Sequence, residues 1–422
     1  MTENRGPDID ILTATARDLR RMLENGKTTS VQLVKLYLAQ IAKHNHHGMR
    51  LNAIIETASL ESVLKEAEAL DVERASSVRD LICTSSFGMG TTAGSLALKG
   101  LQASTDATIA VLLREASCIV IGKSNLSEWG NSKGLNVTSG WSAAGGQTLS
   151  PYVRGGIDSK DRWMGHSAPA GSSSGSAVAT AAGFSPLSIG TEAGGSIVQP
   201  AVRAALYSMK GTVGDVPMVG TQSGGAAFDS PGPMAKCVED CADVMDVLLP
   251  GRGFFDAYRR RRRDQGRSWQ GIRIACLDYD AWQFPDSVCE KTEIFDVQHK
   301  MAMYEALKKA GSLGAKVAFN APLMSVQEVK ERYNTVTQSE LATDADVIMA
   351  SGESTLTTIA ANAGYPIASV PLGFAASYNG RPFGMDIMAR NGEEARIFDV
   401  MAAWEATFTD ARGPPPLLVE WE

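Results

Sequence analysis

A layered α/β/α fold, with a large twisted sheet of mixed strand direction covered by helices on both faces, is what this 422-residue chain predicts. Three observations carry that prediction. Short apolar strands alternate with helices rich in small residues, a pattern that buries both faces of a sheet. The length allows a sizeable core. A composition of 44% apolar and 21% charged residues is that of an ordinary globular protein.

In order along the chain, residues 12–72 read as helical. Thr28, Thr29 and Ser30 offer N-caps, and Val31, Val34, Leu38 and Ile41 repeat at helical spacing. A loop around 84–95 follows. The runs CIVIG (118–122) and LSIGT (187–191) read as strands. A second stretch opens with the strand IRIACLDY (272–279), continues through an amphipathic helix at 291–311 and ends on the strand ASVPLGF (368–374). No internal repeat or long low-complexity linker interrupts it. We therefore read residues 1–422 as one domain, with a helical part at 1–75, a core at 80–250 and a further α/β part at 270–422.

Several functional classes are disfavoured at once. A formal charge of −7 argues against nucleic acid or an anionic membrane as partner. The basic run Arg259–Arg263 reads as a solvated linker or helix end. The start, MTENRGPDID, carries no apolar leader, no stretch approaches about 18 consecutive apolar residues, and the end, LLVEWE, matches no common address. A cytoplasmic location is the expectation, and a homodimer stays open. The six cysteines are scattered among apolar residues and read as reduced core thiols. His44, His46 and His47 read as a solvated helix end before Gly48, so no metal is expected. GMGTTA (88–93) fits a loose dinucleotide fingerprint but adjoins neither a strand nor an opening helix, so no cofactor is expected either.

The chemistry concentrates in AGSSSGSAVATAAGFSPLSIGTEAGGSIVQPA (170–201), where two Gly/Ser islands are separated by an alanine helix and one strand. Residues 171–175, GSSSG, satisfy G-x-S-x-G with Ser173 at the centre, yet the preceding WMGHSAPA is a loop rather than the strand a nucleophile elbow needs. In the second island the strand runs into Glu192, Ala193, Gly194, Gly195 and Ser196. Successive glycines let backbone N–H groups converge on one point, a nest for an oxyanion, with Ser196 placed as a nucleophile at its end. A glycine-rich packing loop capped by a serine explains that island equally well on its own.

Taken together, the islands resemble the signature region of the amidase signature family of serine hydrolases. The likeness extends through GTTAGSLALKG, IVIGKSNLSEWGN, GWSAAGGQTLSPYVRGG, DSPGPMAKCVED and AGYPIASVPLGFAASYNGRPFGMDIMAR, which look like fungal-type members. Ser172 and Ser196 stand at the family's 24-residue interval. The resemblance implies that Ser196 forms the acyl-enzyme and that Ser172, in a cis peptide with Gly171, relays the proton. It implies that Ala193, Gly194 and Gly195 line the oxyanion hole and that Ser173, Ser174 and Ser176 organise the loop, with assistance by Ser173 as a donor the alternative. The implied substrate is a small-molecule carboxylic amide, with no cofactor and no metal.

The base departs from the pattern. The family carries a lysine in a strand of the form G-I-P followed by K-D, shortly before TTAGS. Here Arg79-Asp80 stands at that place and the strand start is missing. An arginine is a poor proton acceptor, since deprotonating it at pH 7 costs about 7 kcal/mol or more, against about 4.6 kcal/mol for an ordinary lysine. Lys123, at the end of a predicted strand, is the candidate for a substitute base, although the resemblance gives it a structural place; Lys99 and Lys210 read as helix-end and turn residues. Two readings of different class follow: an amide hydrolase with an impaired base, and a degenerate amidase-like scaffold that binds without hydrolysing. An aminoacyl-tRNA amidotransferase component is the third and least favoured.

Overall fold

The computed structural model describes residues 9–74, 88–132, 137–222, 224–264, 269–321, 345–378 and 380–420. Helices α1 (Ala16–Glu24) and α2 (Ser30–His44) each begin in a capping box, Thr15 with Asp18 and Thr29 with Gln32. Leu33, Val34, Tyr37 and Ile41 form the buried face of α2. The helical reading of 12–72 is interrupted by a short strand, β1 (Ile54–Thr57), before α3 (Leu60–Arg74). Four residues with one inward isoleucine leave too little periodicity to betray a strand. His44 is buried rather than solvated, while His46 and His47 are exposed.

After α4 (Thr108–Glu115), the run CIVIG leads into a strand that lies later than predicted, β2 (Gly122–Ser124), antiparallel to β1. A minor hairpin, β3 (Trp141–Ser142) and β4 (Gly146–Gln147), precedes the alanine helix α5 (Ser174–Ala181). Then come β5 (Leu187–Glu192), α6 (Val198–Val202), β6 (Tyr207–Lys210), β7 (Ser230–Ala235), α7 (Val238–Leu248) and α8 (Phe254–Asp264). Arg259–Arg263 fall in the last turns of α8, where cations complement the helix dipole. The remaining strands are β8 (Arg273–Cys276), β9 (Lys316–Ala318), β10 (Val347–Ser351), β11 (Ile367–Phe374) and β12 (Pro382–Met388).

Eight strands form one sheet in the order β5-β7-β6-β11-β12-β10-β8-β9. β8 runs parallel to both β9 and β10, and the other neighbours are antiparallel, so the sheet is mixed. Met209, Val347, Val370, Met385 and Ile387 pack on one side with α7 and the helix Glu394–Thr407. Ile348, Ile367 and Met388 pack on the other with the helix Leu356–Ala363. Each such side chain contributes about 1.5–3 kcal/mol by leaving water. Lys210, read from sequence as a turn residue, lies inside β6 and is fully buried.

One contact fixes the serine-bearing helix. The N–H of Gly175 donates to the carbonyl of Asn125 at 3.0 Å. A Cβ on Gly175 would lie 2.4 Å from the carbonyl oxygens of Ala53 and Asn125. Those are backbone atoms of β-paired segments and have little freedom to yield. Gly175→Ala is therefore expected to destabilise the fold by about 3 kcal/mol, the upper end of overpacking costs. Urea unfolding checks this, and a midpoint equal to the parent's would show that α5 is loosely seated.

Candidate active site

The two islands meet at one cavity of about 740 Å³, whose lining includes Ser172, Ser173, Ala193, Ser196 and Lys123. The Gly171–Ser172 peptide is cis. A Cβ on Gly171 would sit 2.5–2.6 Å from the hydroxyls of Ser139 and Ser127, so glycine is the residue that fits there. The carbonyl of Ser172 accepts from the N–H of Ser127 at 3.0 Å, and the N–H of Ser173 donates to the carbonyl of Ser196, also at 3.0 Å. The last bond ties the islands together directly.

Their serines divide into two groups. Ser173 Oγ donates to the carbonyl of Thr191 and accepts from its N–H, both at 3.2 Å, and so is committed to β5. Ser174 Oγ donates to the carbonyl of Ala170 at 2.5 Å. Ser176 Oγ donates to the carbonyl of Ile189 at 3.0 Å and meets Ser124 Oγ at 2.7 Å. By contrast, the hydroxyls of Ser172 and Ser196 have no hydrogen-bond partner among the described residues and open to the cavity. The elbow reading of Ser173 thus fails on geometry: a loop precedes it and its hydroxyl is already occupied.

The second island is shaped by a carboxylate. Glu192 Oε2 accepts from the N–H groups of Ile197 and Val198 at 2.6 and 3.0 Å, across the start of α6. That bond pair closes Ala193–Ser196 into a tight loop. Gly195 has φ +91°, and a side chain there would collide with Gln199. Gly194 is exposed and Ala193 half-buried, so the loop backbone is accessible to a ligand.

Three lysines identified in the sequence have different environments. Lys99 is exposed at the end of a single 3-10 turn. Lys210 donates to the carbonyl of Tyr365 at 3.3 Å; burial pushes its amine below the usual lysine value, against the opposing fields of Glu192 and Asp229. Lys123 is half-buried in β2 and lines the cavity, its amine lowered by burial while Asp106 and Glu56 pull it back up. Arg79 lies outside the described residues.

A buried ionic cluster supports the loop before the first island and left no local mark in the sequence. Glu353 accepts from Arg203 Nε at 3.2 Å and Arg381 Nη1 at 2.5 Å. Arg203 also donates to the carbonyls of Met164, Gly165 and Ala168, pinning the loop that leads to Gly171. Its backbone N–H, separately, forms the C-cap of α6. His166, Cys289 and Glu353 place ligand-type atoms within 4.8 Å of one another, but the two guanidiniums already occupy that carboxylate and repel a cation.

A mixed sheet with helices on both faces, presenting a cis-peptide serine and a glycine-loop serine to one cavity, defines an amidase-signature protein. Residues 32–302 match the family model described as Amidase, and the chain belongs to that family. It is 35% identical over 251 residues to a probable amidase of Arabidopsis thaliana, covering 57% of this chain and 46% of that protein. It is also 35% identical over 247 residues to a glutamyl-tRNA(Gln) amidotransferase component of Symbiobacterium thermophilum, with 56% and 46% covered. The chain spans about half the length of these curated relatives. Among solved structures it is similar to the native peptide amidase of Stenotrophomonas maltophilia, with TM-score 0.74, 27% identity and coverage of 95% and 98%. A peptide amidase in complex with the competitive inhibitor chymostatin gives TM-score 0.74 and 26% identity, with 95% and 99% covered. No described helix is long and apolar enough to cross a membrane.

Proposed function

We propose that this chain is a hydrolase of small-molecule carboxylic amides acting through an acyl-enzyme on Ser196. The observation that carries this reading is that Ser172 and Ser196 alone among the island serines keep hydroxyls free of protein partners among the described residues, facing one cavity beside an accessible glycine loop. In this mechanism Ser196 Oγ attacks the amide carbonyl. The developing oxyanion is held by backbone N–H groups of Ala193, Gly194, Gly195 and Ser196. The proton leaves through Ser172 to a base and returns to the departing amine, after which water releases the acid. Family membership and the likeness to a peptide amidase at 27% identity support amide cleavage.

The direct test is a fluorophosphonate probe read by intact mass and peptide mapping. A single adduct on Ser196 is expected; an adduct on Ser173, or none, would sink the assignment.

Lys123 is the base in this reading, because it is half-buried at the same cavity and burial lowers its amine. Lys123→Met is expected to lower kcat/KM on aryl amides by about 100-fold, the low end of general-base contributions, with ligand affinity little changed. Unchanged kcat/KM in that variant would remove Lys123 from the mechanism. The second reading, a scaffold that binds amides without turnover, is favoured by Arg79-Asp80 standing where the family carries Lys-Asp. Calorimetric binding of amides by a chain that forms no acyl-enzyme would establish it.

A further inference from the structure

The glycine loop of the second island has more conformational freedom than one carboxylate can remove. Glu192 fixes only its far end, by accepting from the N–H groups of Ile197 and Val198. Between these ends stand Gly194 and Gly195, and glycine samples positive and negative φ about equally. A second side chain is needed to select the observed conformer, in which Gly195 has φ +91°.

Gln199 is placed to do this. Its backbone N–H donates to the carbonyl of Gly195 at 2.9 Å, at the start of α6. Its side chain folds back over the loop. A Cβ built on Gly195 finds its three nearest atoms in the Gln199 carboxamide, with Cδ at 2.5 Å and Oε1 at 2.8 Å. One carbon–carbon bond further, the Cα of Gly195 is within about 4 Å of Cδ, so the carboxamide lies in van der Waals contact with it. Gly195 is buried there, although Gly194 is exposed. Gln199 is itself buried and anchored from behind. Its Nε2 donates to Thr357 Oγ1 at 3.4 Å, and that hydroxyl donates to the carbonyl of Ser354 at 3.4 Å. The same helix, Leu356–Ala363, backs the neighbouring glycine: a Cβ on Gly194 would lie 3.3 Å from that of Ala361.

We propose that Gln199 is the positioning residue of the oxyanion loop: its carboxamide, held by Thr357, keeps Gly195 left-handed so that the loop N–H groups face the substrate. The inference rests on the hydrolase reading and adds a residue to its nucleophile, relay and base. Two properties of glutamine carry it. The amide is a donor, which Thr357 uses, and it is neutral. Glu192 already places one negative charge at this loop, and another develops on the substrate oxygen during attack. A carboxylate at position 199 would oppose both.

The experiment measures kcat and KM on aryl amides between pH 5 and 8, with fluorophosphonate labelling, for the full chain and its variants. Gln199→Glu keeps the shape and changes the charge. Its kcat is expected to fall about 100-fold at pH 8, the scale of one lost oxyanion donor, with KM within about 2-fold. As the pH falls the new carboxyl takes a proton and becomes neutral. The ratio of variant to parent kcat is therefore expected to rise about 10-fold by pH 5. A ratio independent of pH would overturn the proposal, because loss of packing alone does not titrate. Gln199→Met retains the length without the donor, and Thr357→Val removes the acceptor. Each is expected to lower kcat about 5-fold, the worth of one neutral hydrogen bond, and the double variant no further. Additive losses would also overturn it, and this cycle decides the matter if Gln199→Glu does not fold. A parent that neither cleaves amides nor labels at Ser196 would bring down the hydrolase reading and this inference with it. A labelled parent whose variants all keep its kcat would overturn this inference alone.

Discussion

In the mechanism proposed above, Ser196→Ala is expected to leave hydrolysis at background, a loss of at least about 1,000-fold in kcat/KM on any amide cleaved. The size follows from what remains when the nucleophile is gone: a cavity and an oxyanion loop that can bind but form no acyl bond. Ser172→Ala is expected to fall nearly as far, because the proton then has no route from Ser196 to a base and residues of one relay are not additive. The neighbouring serines provide the contrast. Ser173→Ala removes two bonds to Thr191 and Ser174→Ala one to Ala170, so their losses appear first in stability and only secondarily in rate. Kinetics and urea unfolding of the four variants separate the groups. If Ser173→Ala lost activity as completely as Ser196→Ala at unchanged stability, the nucleophile would be misassigned.

The islands were legible because their chemistry is local. Strand, glycine loop and helix start follow one another within a dozen residues, so Glu192–Ser196 can be read as a loop with converging N–H groups before any coordinates are known. The resemblance separates Ser172 and Ser196 from the other island serines, but what holds those others in place is not local. It depends on Thr191, Ile189 and Ser124, which are brought to Ser173 and Ser176 by the approach of α5 to β5 and β2. The predicted strands at 187–191, 272–279 and 368–374 overlap the observed β5, β8 and β11. β7, SPGPMA, escaped notice since two prolines and a glycine argue against a strand, although all six residues are buried. Lys210 was misread for a related reason: a lysine beside glycine suggests a turn, and only the sheet explains a buried amine bonded to Tyr365. The Glu353 cluster was out of reach altogether, because its residues stand at 166, 203, 353 and 381 and only tertiary packing unites them.

That cluster carries the largest expected loss of stability. Glu353 is the carboxylate between Arg203 and Arg381, and all three side chains are almost wholly buried. Arg381 in addition meets His166 Nδ1 at 2.8 Å and lies 4.3 Å from the Phe295 ring centre. Burial and Arg381 lower the His166 imidazole to about 4, so it is neutral near pH 7 and adds no third cation. Glu353→Gln keeps the shape but leaves two guanidiniums in the interior without an anion, at a cost of about 3–5 kcal/mol. The two arginines hold the Glu353 carboxyl well below the usual glutamate range, overcoming the upward push of burial. A depressed folded pKa means that this stabilisation is complete above the unfolded value of about 4.3. It is lost as the pH falls through the lower folded value. The parent is therefore expected to lose stability with acidification below about pH 4.3, and Glu353→Gln to lack that component of the slope. Because Arg203 pins the loop before Gly171, the variant should also lose fluorophosphonate labelling at Ser196 while still folded in mild conditions. Urea unfolding across pH 3–7 tests the first part. A variant within about 0.5 kcal/mol of the parent at pH 7 would show that the arginines find other partners, as exposed pairs do.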